Sequence, residues 1–426
     1  MSNYHINTKC IHSGWDPKNG ESRQIPIVQS TTFKYESTEE MGKLFDLEAS
    51  GYFYTRLQNP TSDAVAARIA DLEGGVAAML TSSGQAAILF SIINICEAGD
   101  HMICASEIYG GTLNLAGVTL KKFGIECSFI SVNSTDEEIQ AAIRPNTKLI
   151  FGESVSNPAL AVLDIERFAK VAHANGIPLF VDNTFATPVN CHPFKWGADI
   201  IVHSTTKYMD GHAMQVGGCI VDSGNFDWDA HKEKFPGLTT PDPSYHGLVY
   251  TERFGKLAYI TKATVQLMRD LGACPSPFNS YLLGANLETL PLRVERHCQN
   301  ALALAKFLQN HDKISAVNYP GLENNPYYEL AQKYMPNGIC GVLSVELKGG
   351  REAAVRFLDN LKLATIATHV ADAKTCVVHP ASHTHRQLTD EQLKEAGIST
   401  GLVRLSIGIE HIDDLIADIS QALDKA

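Results

Sequence analysis

Apolar and polar residues change their arrangement along the chain near residue 59. Residues 1–58 are rich in polar residues and turn formers and contain few long apolar periods, which predicts an extended arm. From residue 59 onward, short apolar runs alternate with amphipathic stretches. Strand-length runs separated by helical patterns are typical of βαβ units and a mainly parallel sheet. The runs are VAAMLTSS (76–83), DHMICAS (100–106), ECSFISV (126–132), KLIFGES (148–154), IPLFVDN (177–183), ADIIVHS (198–204) and GGCIVDS (217–223).

The amphipathic stretches between these runs predict helices. One of them, IERFAKVAHANG (165–176), ends in a glycine, which suits a helix C-cap. The alternation stops at 225–250, where the segment carries the turn-prone Pro241 and Pro243. We therefore predict an ordered loop insertion there.

A further boundary is predicted near GACPSPF (272–278). Beyond it, helical and strand-like patterns alternate again, and they predict a small α/β domain. The chain is thus divided into an arm at 1–58, a large domain at 59–271 and a C-terminal domain at 272–426. The patterns of the last part are helices at 294–309 and 351–361, strands at 341–347 and 402–410, and a final helix with Ile412, Leu415, Ile416, Ile419 and Leu423 on one face.

Composition narrows the possible partners. The chain has 426 residues, 44% of them hydrophobic, and a formal net charge of -12. A nucleic acid or an anionic membrane surface requires a basic field, so neither is expected as a partner. No stretch reaches the ~20 apolar residues of a membrane span, and the N-terminus lacks the apolar region of a signal peptide. We therefore expect a cytoplasmic protein.

The ten cysteines include no CxxC pair, and several lie inside apolar runs. This distribution favours buried, reduced thiols over disulfides or zinc ligands, and no metal site is predicted. The motifs of P-loop nucleotide binding, dinucleotide binding, zinc proteases and α/β hydrolases are all missing from the sequence. These function classes lose support.

Two polar side chains follow consecutive predicted strands. Asp182 ends the run IPLFVDN, and Lys207 comes shortly after ADIIVHS. Ligands of open α/β sheets bind at the carboxyl ends of the strands, so the acid and the amine are expected at one edge. Read singly, Asp182 fits a turn or helix N-cap equally well, and Lys207 fits a solvated surface charge.

The segment TSSGQAA (81–87) adds a third element. It follows an apolar run and opens a predicted helix, so the backbone N–H groups of Gly84 and Gln85 are placed to bind a phosphate. An ordinary capped helix start is the alternative. Pyridoxal phosphate (PLP) requires an amine, a carboxylate for its ring nitrogen and a phosphate site, and the three elements together supply this set.

The chain resembles the Cys/Met-metabolism, or trans-sulfuration, family of PLP enzymes of fold type I. The resemblance implies an aspartate-aminotransferase-like α/β fold: a mainly parallel seven-stranded sheet with helices on both faces and a smaller C-terminal α/β domain. The motifs that carry it are YFYTRLQNPT (52–61), TSSGQAA (81–87), EIYGGT (107–112), ESVSNPAL (153–160), VDNTFATP (181–188), HSTTKYMDGH (203–212), HPASHTHRQL (379–388) and LVRLSIGIE (402–410).

The resemblance also implies roles for individual residues. Lys207 would form the Schiff base with PLP and shuttle protons, and Asp182 would pair with the ring nitrogen. Tyr109 would stack on the ring and assist proton transfer, and Asn157 would lie near the ring hydroxyl. The phosphate would be held by the backbone amides of Gly84 and Gln85 and by the hydroxyls of Ser204 and Thr206.

Further implied roles concern the substrate and a second subunit. Tyr54 and Arg56 would reach the phosphate of the neighbouring subunit's cofactor, which predicts dimers that share active sites and a homotetramer built from two such dimers. The arm at 1–58 would then contact the neighbour. Arg404 would clamp the substrate carboxylate in a bidentate pair. Tyr54 and His369 are the other expected substrate contacts.

Within the family, the chain is most similar to O-acetylhomoserine sulfhydrylases, through PDPSYHG (241–247) and the DAKT and HPAS segments of 372–382. It departs from relatives at Met214, at His369 and at Gly111, where methionine γ-lyases have cysteine. The implied reaction is γ-replacement on O-acetyl-L-homoserine with sulfide or a small thiol, giving homocysteine or methionine and acetate. The alternatives are a methionine γ-lyase, which gives 2-oxobutyrate, ammonia and a thiol, and a PLP-fold binding protein without catalysis.

Overall fold

The computed structural model describes residues 4–384, 386–387, 389–395 and 398–426. Of the motif at 379–388, His385 and Leu388 lie outside this range. Within the described residues, no helix has both the length and the apolar character that crossing a membrane requires.

A seven-stranded sheet forms the larger part of the fold, in the order β1-β7-β6-β5-β4-β2-β3. All neighbouring strands are parallel except that β7 runs antiparallel to β1 and to β6. Each predicted apolar run coincides with one of these strands, although β4 begins one residue before its run, and the predicted mainly parallel sheet is confirmed. The strands are β1 (Ala77–Thr81), β2 (His101–Ala105), β3 (Glu126–Ile130), β4 (Thr147–Glu153), β5 (Leu179–Asp182), β6 (Ile200–His203) and β7 (Gly218–Asp222).

Both faces of this sheet are covered. Every residue of β2, β4, β6 and β7 is buried, which explains why these strands are continuous apolar runs rather than alternating ones. The helices of this part are α1 (Ile6–His12), α2 (Thr38–Phe45), α3 (Pro60–Glu73), α4 (Gly84–Ile93), α5 (Gly110–Asn114), α6 (Asp136–Ala142), α7 (Ile165–Ala174), α8 (Thr187–Asn190), α9 (Pro236–Thr239), α10 (Tyr250–Phe254), α11 (Ala258–Lys262) and α12 (Arg269–Leu271).

The arm at 1–58 is not extended throughout, because it contains α1 and α2. Lys9 of α1 forms an ion pair of 2.9 Å with Asp71 of α3, and Cys10 is fully buried. These contacts fasten α1 to its own chain. The predicted loop insertion at 225–250 contains the short α9 and the start of α10.

The C-terminal part has a five-stranded sheet in the order β10-β11-β12-β9-β8, in which only β10 and β11 are parallel. The division between residues 271 and 272 falls between α12 and α13 and remains a proposal. The elements are α13 (Pro277–Leu287), α14 (Leu290–Gln309), β8 (Ile314–Asn318), α15 (Tyr328–Tyr334), β9 (Val342–Leu347), α16 (Gly350–Asp359), β10 (Thr365–Ile366), β11 (Cys376–Val378), α17 (Asp390–Glu395), β12 (Leu402–Ser406) and α18 (Ile412–Leu423).

The ten cysteines are free thiols, and all except Cys127 and Cys274 are buried. Eight of the ten thiols therefore lie in the interior, as expected, and two are partly exposed. The thiols pack as small apolar groups in the core.

Hydrogen bonds from α14 hold the segment after β6 in place. Arg293, which is buried, donates to the carbonyl oxygens of Tyr208 (2.7 Å) and Met209 (3.4 Å). Gly211 has φ +69°, and a Cβ there would lie 1.9 Å from Nη1 of Arg293, so only glycine fits. The Tyr208 hydroxyl accepts a bond of 2.7 Å from the backbone N–H of Gly341. The chain around Lys207 is thereby held at a fixed place.

Candidate active site

Three neighbouring strands end at one edge of the large sheet. Glu153, the last residue of β4, lies opposite Asp182, the last residue of β5, and Asp182 lies opposite Val202 of β6. Lys207 follows β6 by a few residues. The structure therefore brings the predicted acid and amine to the same edge, as expected for the carboxyl ends of parallel strands.

Lys207 is a partly buried amine that has no counter-ion among the residues the structure describes. Burial lowers its pKa, and the nearby positive charge of Arg404 lowers it further. Its backbone N–H donates to the carbonyl oxygen of Ser204 (3.2 Å), which closes a turn at the strand end. A lysine with a lowered pKa has more of its amine in the neutral, nucleophilic form.

Asp182 is a carboxylate set back from solvent. Its Oδ1 accepts the backbone N–H of Thr184 at 2.9 Å. Burial raises its pKa, while the bonds from Thr184 and the charge of His203 act against that rise. A cationic partner in direct contact would stabilise the ionised form of such a carboxylate.

The start of α4 lies against Ser204. A Cβ added to Gly84 would be 2.6 Å from the Ser204 Cβ, so the two segments touch. Ser83 caps the helix, because its side chain accepts the backbone N–H of Ala86 at 3.1 Å. The backbone N–H groups of Gly84 and Gln85 are left at the N-terminus of a helix, where a phosphate binds readily.

The side chains of Gln85 and Thr206, beside this helix start, differ in their hydrogen bonding. The side-chain oxygen of Gln85 is buried and has no hydrogen-bond partner. The Thr206 hydroxyl is engaged with Gly217, since it accepts the Gly217 N–H (3.0 Å) and donates to the Gly217 carbonyl oxygen (3.2 Å). The structure thus groups Gly84, Gln85 and Ser204, with the Thr206 proton directed away from them.

Arg404 on β12 is a guanidinium without a carboxylate partner. Its Nη1 donates to Oδ1 of Asn157 (3.1 Å) and its Nη2 to the carbonyl oxygen of Thr368 (3.2 Å). Burial lowers its pKa, and no carboxylate in the described part of the chain offsets its charge. A half-buried, uncompensated arginine is suited to an anionic ligand such as a carboxylate.

His369 lies close to Lys207 and Arg404. Its Nε2 is buried and has no hydrogen-bond partner in the described part of the chain. Burial lowers its pKa, and the charge of Lys207 lowers it further, so the imidazole is neutral near pH 7. A neutral imidazole supplies a hydrogen bond at the site without adding a third positive charge.

Tyr109 is the N-cap residue of α5, and its ring is about half exposed (49%). A Cβ added to Gly111 would be 2.5 Å from Cε1 of Tyr109 and 2.5 Å from Nε2 of Gln85. Because Gly111 has no side chain, the Tyr109 ring and the Gln85 side chain can both lie close to its Cα.

Glu153 was missed by the sequence reasoning. It is buried, and it accepts the backbone N–H groups of Tyr109 (2.8 Å) and Asn157 (3.1 Å). Burial raises its pKa well above the usual range, and the negative charge of Asp182 adds to the rise. The signal was present, because Glu153 ends the run KLIFGES in the same way that Asp182 ends the next one.

Tyr54 and Arg56 lie elsewhere in the chain. They line a groove of about 1380 Å³ whose lining residues include neither Asp182, Lys207 nor Arg404. The Arg56 guanidinium is 5.1 Å from the centre of the Tyr54 ring. One chain therefore does not join them to Lys207, and their role in a neighbour's site stays a prediction.

Comparison with known proteins gave consistent results. The family model described as "Cys/Met metabolism PLP-dependent enzyme" matches residues 7–424. Homocysteine synthase of Schizosaccharomyces pombe is 46% identical over 424 residues, 99% of either chain. O-acetyl-L-homoserine sulfhydrylase of Leptospira meyeri is 44% identical and covers 99% of this chain and 97% of its own.

A solved structure from Campylobacter jejuni subsp. jejuni, described as an O-acetylhomoserine (thiol)-lyase, aligns with a TM-score of 0.94 and 40% identity. The alignment covers 99% of this chain and 100% of that one. That structure carries N'-pyridoxyl-lysine-5'-monophosphate.

The residues at the sheet edge fit such a cofactor. Lys207 is an amine with a lowered pKa, Asp182 is a carboxylate without a cationic partner, and the start of α4 offers free amides beside Ser204. Gly84 lets the start of α4 lie directly against Ser204, and within the described residues the buried Oε1 of Gln85 has no hydrogen-bond partner. PLP requires these three kinds of group.

The Arg404 charge is expected to control the reactivity of Lys207. In cofactor-free protein, Arg404→Met removes a neighbouring cation, so the pKa of Lys207 rises and less neutral amine is present at a fixed pH. Competitive acylation followed by peptide mapping measures this as slower labelling of Lys207.

Two controls accompany this measurement. Arg404→Lys keeps the charge and leaves Lys207 reactive, and Lys262, a buried lysine with a pKa of about 8, is an internal reference whose labelling stays constant. Unchanged labelling of Lys207 in Arg404→Met would contradict the account.

Proposed function

Because the chain belongs to the Cys/Met-metabolism PLP-dependent enzymes, we propose that it is a transferase of the O-acetylhomoserine sulfhydrylase type. It replaces the acetate on the γ-carbon of O-acetyl-L-homoserine with sulfide or a small thiol. The products are homocysteine, or methionine, and acetate. The observation that carries the proposal is full-length similarity to enzymes of this name, joined to an uncompensated arginine beside the Lys207 amine.

The cofactor site is assigned to groups of the sheet edge and of α4. Lys207 would hold PLP covalently through its amine, and Asp182 would keep the ring nitrogen protonated. The amides of Gly84 and Gln85 and the hydroxyl of Ser204 hold the phosphate. The Thr206 hydroxyl would join them by donating to the phosphate once its proton turns away from the Gly217 carbonyl oxygen. When bound, PLP supplies an electron sink for the negative charge that forms at the substrate Cα.

The substrate site is assigned to the C-terminal sheet. Arg404 would bind the α-carboxylate, and Asn157 holds the guanidinium in place by accepting a bond of 3.1 Å from its Nη1. Asn157 would also lie near the ring hydroxyl of the bound cofactor. His369 contacts the substrate through its unpartnered Nε2. Tyr109 covers the cofactor ring and assists proton transfer.

Lys207 performs the proton transfers of the reaction. The lowered pKa of the Lys207 amine increases its neutral fraction, so the amine, once free, would remove the proton from the substrate Cα. A second proton leaves Cβ, and the γ-acetate departs. Sulfide then adds at Cγ, and the protons return to Cβ and Cα. One hydrogen sulfide thus exchanges for one acetic acid.

A substrate panel tests the reaction. Purified protein loaded with PLP is expected to convert O-acetylhomoserine and sulfide to homocysteine and acetate in equal amounts, and Lys207→Ala is expected to be inactive. Formation of 2-oxobutyrate from methionine, without homocysteine from O-acetylhomoserine, would establish the γ-lyase instead. A protein that binds PLP but converts none of these compounds would establish the binding-protein alternative.

For the assembly and location, the proposal is a cytoplasmic homotetramer made of two dimers, with Tyr54 and Arg56 completing the neighbour's cofactor site and Tyr54 also reaching the substrate. Two observations support it. Tyr54 and Arg56 line a groove that excludes their own chain's Lys207. The ten free thiols suit a reducing compartment.

Mixing of inactive variants tests the shared site. Arg56→Ala and Lys207→Ala chains, allowed to exchange, form heterodimers in which one of the two sites is intact, so about a quarter of wild-type activity should return. The matched control mixes Asp182→Ala with Lys207→Ala, both of which belong to one chain's site, and should stay inactive. An absence of recovery in the first mixture, with exchange verified by mass, would show that Arg56 acts within its own chain.

A further inference from the structure

Glu153 is a buried carboxylate that the reaction above does not use. Each of its two oxygens accepts one backbone N–H group: Oε1 from Tyr109 (2.8 Å) and Oε2 from Asn157 (3.1 Å). No cation in the described part of the chain offsets its charge. The side chain therefore acts as a double acceptor that joins the start of α5 to the turn after β4.

A glutamate side chain meets both donors at this position, because each of its two carboxyl oxygens accepts one N–H group. A glutamine has one acceptor oxygen, and its NH₂ group would face an N–H group that also donates. A shorter or apolar side chain would leave one or both buried N–H groups unsatisfied, which is costly. The geometry is thus specific to glutamate.

The two N–H groups belong to residues on opposite sides of the site. Tyr109 carries the ring that meets Gln85 above Gly111. Asn157 accepts Nη1 of Arg404 through its side chain, and Arg404 also donates to the carbonyl oxygen of Thr368. Contacts therefore run from Glu153 to the ring of Tyr109 in one direction and to the guanidinium of Arg404 in the other.

Placing Glu153 here is electrostatically unfavourable. It lies opposite Asp182 in the strand register, and burial together with that neighbouring charge raises its pKa well above the usual range. Two close carboxylates on buried strands disfavour their ionised forms. A contribution of Glu153 to the geometry of the site accounts for its presence.

We propose that Glu153 is a positioning residue: it fixes Tyr109 directly, and Arg404 through Asn157, relative to Asp182. The inference deepens the proposed function, since it rests on that proposal for the roles of Tyr109 and Arg404. Glu153 itself takes no part in the proton transfers or in the exchange at the γ-carbon.

The test compares Glu153→Gln with Glu107→Gln in the PLP-loaded enzyme. Glu107 is a matched control, because its carboxylate also accepts a backbone N–H, that of Val132 (2.9 Å), and the hydroxyl of Ser131 (2.6 Å), next to the same loop. Two properties are measured: the visible circular dichroism of bound PLP, which reports the asymmetry of its surroundings, and kcat and KM separately for O-acetylhomoserine.

Glu153→Gln is expected to change the cofactor dichroism, to raise KM through the released Arg404, and to lower kcat/KM by about tenfold or more, as for a buried N–H group left without an acceptor. Glu107→Gln should keep the dichroism and change kcat/KM less than about twofold. Wild-type dichroism and kinetics in Glu153→Gln, or equal losses in both variants, would overturn the proposal.

A second variant protects the test against misfolding. Glu153→Asp keeps the charge but is one methylene shorter, so it reaches at most one of the two N–H groups, and an altered dichroism with a raised KM is expected. Wild-type values would overturn the proposal here as well. The dichroism does not depend on turnover, so a changed signal in an enzyme that fails to make homocysteine supports this inference while rejecting the proposed reaction.

Discussion

The parallel pairing of β4, β5 and β6 is the constraint on which the whole site depends. Their register sets Glu153 opposite Asp182 and Asp182 opposite Val202, and it delivers the chain at Lys207 to the same edge. Successive side chains of a strand point to opposite faces, so a slip of one residue would turn a carboxylate to the other face of the sheet. The register is secured by the burial of β4 and β6 along their whole length.

Unbalanced charge is the second property of this edge. Lys207 and Arg404 have lowered pKa values and no carboxylate against them, while Asp182 and Glu153 stand side by side with raised ones. An isolated buried charge is costly, so the protein bears this arrangement for ligands that complete it. A phosphate at the start of α4, a protonated ring nitrogen at Asp182 and a carboxylate at Arg404 would do so. The match between these ligand groups and the charges of the site, together with family membership, supports the proposed function.

Much of this could be predicted from the sequence, for identifiable reasons. Strands covered on both faces are continuous apolar runs, so all seven runs marked strands of the large sheet, and Asp182 and Lys207 stood out as polar groups after two of them. A continuous apolar run does not indicate whether its strand is parallel or antiparallel to its neighbours. The antiparallel direction of β7 therefore could not be predicted from the sequence. The alternating helical and strand-like pattern of the C-terminal part likewise did not indicate that its sheet is mostly antiparallel.

Contacts between distant parts of the chain were the other limit. Glu153 was overlooked because its partners are backbone groups at 109 and 157, which no side-chain pattern reveals. The engagement of Thr206 with Gly217 depends on the turn after β6 and is equally invisible in the sequence. Residues such as Tyr54 were assigned by resemblance alone, and one chain does not test an assignment that needs two.

The central claim is that Lys207 holds the cofactor, and reductive trapping tests it most directly. Borohydride fixes the covalent link between PLP and a lysine, and peptide mass mapping then locates the modified residue. The account predicts a single modified peptide, the one that contains Lys207. Modification of a different lysine instead, such as Lys262 or Lys234, whose pKa values are also lowered by burial, would contradict it.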